Sequence, residues 1–84
     1  MKRRILRADG TTERIEVGNG YKDWNAAIGA RIGELVVSPD GSLEFWCDEE
    51  DGNREEPALN IAASMLVRRQ IVGDVIAFFP GDIM

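Results

Sequence analysis

Residues 34–47 read ELVVSPDGSLEFWC, two short runs rich in β-branched, aliphatic and aromatic residues joined by Pro39-Asp40-Gly41. Proline presets the backbone for a type I turn, and glycine accepts the left-handed conformation that closes it. The stretch is therefore a β-hairpin. A three-residue loop over Pro39–Gly41 would set Val37 opposite Leu43 and Leu35 opposite Phe45, with Cys47 following on the same side. That register gives Leu35, Val37, Leu43, Phe45 and Cys47 to the core and turns Glu34, Val36, Glu44 and Trp46 the other way. Trp46 then needs cover from another element, from a partner or partly from water.

Upstream, RRILRADGTTERIEV (residues 3–17) alternates apolar and charged residues on both sides of Asp9-Gly10 and reads as a second hairpin. A loop over Asp9–Thr11 would pair Ile5 with Ile15 and Arg7 with Glu13. YKDWNAAIG (residues 21–29) is a short helix with Tyr21, Trp24 and Ile28 on one face, Asn19 as its N-cap and Gly29 as its stop. Downstream, PALNIAASMLVRRQ (residues 57–70) reads as a helix over Ala58–Arg69, with Pro57 in its first turn and Arg68 and Arg69 in its last. Its apolar residues, Leu59, Ile61, Ala62, Ala63, Met65 and Leu66, cover more than a narrow stripe, so the expectation is a well-buried helix. Val75–Phe79 is too continuously apolar for an exposed edge strand. The order ββαββαβ predicts an α+β fold in one domain over residues 1–84, with a mostly antiparallel sheet of about five strands and two helices.

Composition narrows the chemistry. The 84 residues contain no histidine and one cysteine. Without histidine the commonest general base and the Ser-His and Cys-His nucleophile pairs are lost, and one cysteine forms neither an internal disulfide nor a CxxC zinc site. Cys47 reads as a small core residue in a reducing, cytoplasmic setting. No run approaches the roughly 18 apolar residues of a membrane span. The net charge of −5 opposes a phosphate-tracking nucleic-acid surface, although Lys2, Arg3, Arg4 and Arg7 cluster near the N-terminus. A chain this short buries at most about two-thirds of its unfolded surface, so homodimerisation would help it.

The conspicuous feature is the acidic loop after Trp46: Asp48, Glu49, Glu50, Asp51, Glu55 and Glu56. Four readings stay open. It is a solvated turn that serves the following helix N-terminus; a weak site for a hard cation; a catalytic carboxylate pair; or, with Trp46 as an aromatic anchor, a surface for a partner protein. An EF-hand needs an acidic or amide residue five before its glycine, and counting back from Gly52 gives Cys47, so that motif fails. No metal or cofactor is expected. A separate candidate is an anion or nucleotide site formed by Arg68, Arg69, Arg3 and Arg4 in an oligomer pocket.

The strand end CDEEDG (residues 47–52), the pair Pro57 and Asn60, and the entry IVGDVIAFF (residues 71–79) to the last strand carry a resemblance. Over roughly residues 3–79 the chain resembles small proteins of phages, mobile elements and Gram-positive bacteria grouped as a domain of unknown function. It departs from them at Asp51, which lengthens the acidic run, and in the length of the second helix. The resemblance implies no enzymatic activity. It implies an accessory protein that associates with a host or defence-system protein.

Overall fold

The computed structural model describes residues 2–50 and 58–78. Its elements are β1 (Lys2–Leu6), β2 (Thr12–Glu16), α1 (Tyr21–Ile28), β3 (Gly33–Val37), β4 (Glu44–Asp48), α2 (Ile61–Val67) and β5 (Val75–Phe78). The strands form one antiparallel sheet in the order β2-β1-β5-β4-β3. This is the α+β architecture and the ββαββαβ order that the sequence predicts. The apolar strand β5 takes the central place, and the charged β2, nearly all exposed, forms one edge.

The connections place the helices. From β2 at one edge the chain must reach β3 at the other, so α1 crosses one face of the sheet. The chain joins the neighbouring strands β4 and β5 through α2, which packs on the opposite face. Two apolar clusters result. Beneath α2 lie Leu6, Val36, Phe45, Cys47, Val75 and Ala77, with Ala63, Val67 and Ile71 packed onto them. Under α1, Ile5, Ile28 and Ile76 pack with Trp24, Trp46 and Phe78.

Both hairpins correct the predicted register, for related reasons. In the first, Arg7 N–H donates to Thr11 O (2.9 Å) and Gly10 N–H to Arg7 O (3.0 Å), so the loop is Ala8–Gly10. A three-residue loop ends on its left-handed residue, and Gly10, at φ 93°, is that residue; Thr11 would be strained there. Ile5 therefore faces Glu13, and Arg3 faces Ile15. Arg7 still reaches Glu13 diagonally (Nε to Oε1, 2.8 Å) and also meets Asp74 at 3.0 Å, both of which raise its pKa.

In the second hairpin the loop has four residues, Pro39–Ser42, with Ser38 N–H on Leu43 O (2.9 Å). Asp40 Oδ1 accepts from Ser42 N–H (3.0 Å), Ser42 Oγ (2.7 Å) and Ser38 Oγ (2.7 Å), which draws Ser42 into the turn. One added residue inverts every side chain of β3 relative to the three-residue expectation. Val36 is buried opposite Phe45, whereas Leu35 and Val37 are exposed on the Trp46 face. Those same donors, the Ser42 amide first, hold the Asp40 carboxyl at about 2. A depressed carboxyl stabilises the fold above its unfolded value, about 3.8, and that stabilisation is lost as pH falls towards 2. A carboxyl titration followed by NMR should place the Asp40 midpoint near 2 in the native protein. An Asp40 midpoint at the ordinary aspartate value would show that the serine cradle is not formed.

Both helices differ in detail from expectation. Gly20, not Asn19, is the N-cap of α1, with no side-chain cap, and Tyr21 is exposed; Gly29 closes the helix in the left-handed region (φ 71°). The second helix is shorter than Ala58–Arg69, because Leu59 bridges to Val72 and keeps the chain extended up to Asn60. No helix among the described residues is long and apolar enough to cross a membrane.

Candidate functional site

The predicted partner surface around Trp46 is largely used within the chain. Trp46 stands on β4 beneath α1, where its indole N–H donates to Asn25 Oδ1 (2.7 Å) and its ring meets Trp24 edge-on at 5.2 Å. Asp48 is only 5% exposed and accepts from Glu50 N–H (2.8 Å), which fixes the turn after β4. Glu50 accepts from Arg31 Nε (3.1 Å), and this pairing raises the arginine pKa. Of the three described acidic residues in the loop, Glu49 alone is exposed. Asp51, Glu55 and Glu56 lie outside the described residues, as does Pro57. No three His, Cys, Asp or Glu side chains among the described residues come together to hold a metal ion.

Within one chain the four arginines of the anion site predicted for an oligomer lie on different elements, two on β1 and two at the end of α2. Arg3 and Arg4 alternate on β1 and so face opposite sides of the sheet. Arg3 is buried on the α1 side, its guanidinium 4.9 Å from the Phe78 ring, with Nε and Nη1 lacking hydrogen-bond partners among the described residues. Arg4 shares the face of α2 but stands on β1, separated from β4 by β5. Arg68 and Arg69 remain neighbours at the C-terminal end of α2, where Arg69 reaches Glu34 at 3.3 Å.

The largest departure from expectation is the outer face of α2. The helix is held by Ala63 and Val67 and by Asn60, its N-cap, whose Oδ1 accepts from Ala63 N–H (3.1 Å). Ile61 and Met65, four residues apart on one face, are 64% and 74% exposed, and Leu59 and Leu66 are also exposed. The apolar residues that suggested a buried helix are thus split. Ala63, with Val67, seats the helix on the sheet, whereas Ala62 and the four large ones are exposed.

Two shallow cavities flank this surface, of about 520 and 580 Å³. The first runs between α2 and the β3–β4 turn, past Asp40 and Leu43. The second is walled by Leu59, Ile61 and Met65 and bordered by Arg68 and Arg69. Met65 and Arg68 line both, so the two cavities adjoin along α2 and together form a groove broken at these two residues. Arg68 caps the helix at φ 56°, the one described non-glycine residue with positive φ. Sequence reasoning placed these residues on one helix from Ala58 to Arg69, whereas Leu59 precedes α2 and Arg69 follows its cap, and the face they occupy depends on where the sheet lies. No family model, curated protein or solved structure matches the chain.

Proposed function

We propose that the protein is a non-enzymatic binding protein that forms a stoichiometric complex with a partner protein through the outer face of α2. The observation that carries this reading is the run of four large apolar side chains, Leu59, Ile61, Met65 and Leu66, left exposed beside two arginines. Contiguous apolar surface of this kind is unfavourable in water and marks an interaction site more often than single exposed residues do. Met and Arg are both enriched in interfaces. The shallow grooves suit a protein surface better than an enclosed small-molecule site. With the phage and mobile-element resemblance, the reading points to a host or defence-system component met in the cytoplasm.

The test is capture of partners from a host lysate by the parent chain and by the Ile61→Asp, Met65→Asp double variant. Both positions are exposed, so the variant should keep the parent's urea midpoint. The parent should yield a complex of fixed mass ratio and the variant none. The same complex from both proteins would overturn the reading.

A further inference from the structure

Resting on that reading, we infer that the α2 groove recognises an acidic amphipathic segment of its partner, in which aliphatic side chains sit beside carboxylates. Three observations converge on the end of the helix. The groove that Met65 and Arg68 share offers apolar walls for aliphatic anchors. The charged side chains bordering its more apolar half are Arg68 and Arg69, both positive. Asp40, in the other half, keeps its negative charge on the donors from Ser38 and Ser42, so an incoming carboxylate is directed to the arginine end.

Arg68 supplies the third. A helix that ends in the left-handed region ordinarily does so on glycine or asparagine, because a Cβ there is strained. At φ 56° Arg68 accepts that strain, and among the described residues it has no ion-pair partner to offset it. Arg68 is exposed and lines both cavities, and a guanidinium there can receive a carboxylate in a two-pronged hydrogen bond. Arg69 is engaged by Glu34, which leaves Arg68 as the group that selects charge. A second copy of this chain fits less well. Paired parallel, two α2 helices would bring their arginines together; paired antiparallel, they would set each arginine beside the positive N-terminal end of the other helix.

The test uses two synthetic helix-forming peptides with leucines at spacings of three and four. One carries glutamates at its remaining positions, and its twin carries lysines there. Each is titrated into the isotope-labelled full chain and followed by amide chemical shifts. The acidic peptide should move the signals of Ile61, Ser64, Met65 and Arg68 in a saturable way and bind at least about tenfold more tightly than its twin, a ratio within reach of one charge pair. Arg68→Glu should invert the preference. Arg68→Gly should melt no lower than the parent, because glycine relieves the strain, yet lose the preference, which a purely structural arginine would not do.

Equal binding of the two peptides, or shifts confined to other surfaces, would overturn the inference. So would a concentration-independent dimer that excludes both peptides, since a second copy would then occupy the groove. If the peptides show no charge preference but Ile61→Asp, Met65→Asp still abolishes partner capture, this inference falls and the proposed function stands.

Discussion

Replacing Asn60 with alanine should destabilise the domain by about 4 kcal/mol, measured as a fall in the urea midpoint at constant slope. Asn60 is fully buried, at 0% exposure. Its amide donates to Leu6 O (2.9 Å) and Gly73 O (2.8 Å), and its side-chain oxygen caps α2 through Ala63 N–H. One side chain thereby ties β1, the entry to β5 and the start of α2 to one another. Truncation takes a donor from two carbonyls and the acceptor from one amide, at about 1–3 kcal/mol for each group left unsatisfied before relaxation. A domain of this size holds about 4–12 kcal/mol in total, so much of the margin rests on this residue. Asn60→Asp separates the contributions. It keeps the cap acceptor but sets a carboxylate against two carbonyl oxygens, so at neutral pH it should be at least as damaging as alanine. Protonation restores one donor, so the aspartate variant should regain stability as pH is lowered. An alanine variant within about 1 kcal/mol of the parent would show that the network is not a structural tie.

Trp46→Ala should cost about 3–5 kcal/mol and release α1 from the sheet, seen as a lower urea midpoint with loss of near-ultraviolet circular dichroism. The ring packs against Trp24, which in turn meets Phe78 edge-on at 4.9 Å, and the cluster extends to Ile5, Ile28 and Ile76. Such aromatic pairs add about 0.5–1.5 kcal/mol beyond their buried area. The geometry is closely filled. A Cβ at Gly33 would lie 2.2 Å from Trp46 Nε1 and 2.5 Å from Asn25 Oδ1, so only glycine fits beside this hydrogen bond. Trp46→Phe should retain most of the packing and lose the bond to Asn25, at about 1–2 kcal/mol. The outcome also decides between two roles. A tryptophan that served a partner surface would give a variant as stable as the parent but unable to bind.

The two variants also bear on how a small chain becomes a binding surface. Asn60 and Trp46 immobilise α2 and α1 on opposite faces of the sheet. With α2 fixed at its start and seated through Ala63 and Val67, its exposed residues are presented on a rigid support, which lowers the ordering cost of association. Asn60 was legible in the sequence as one half of a Pro…Asn pair. Its reach to Leu6, 54 positions away, was not, because no local pattern records which carbonyls a fold brings to an amide.

Local signals determined a great deal. Alternation and turn chemistry around Asp9-Gly10 and Pro39-Asp40-Gly41 specify two hairpins, the apolar run at Val75 specifies an interior strand, and the missing histidine removes whole classes of catalysis. These are properties of neighbouring residues, and neighbours suffice to set them. Register, facing and exposure were left to the tertiary structure. Whether Ser42 belongs to strand or turn depends on the Asp40 hydrogen bonds, and that one residue decides whether Val36 or Val37 is buried. Trp46 is covered because α1 crosses the sheet from β2 to β3, a consequence of strand order. The large side chains of α2 face outwards because Ala63 and Val67 let the helix sit close to the sheet. An apolar residue states only that burial would be favourable; which apolar residues are buried is settled by the competition among all of them for two faces of one small sheet.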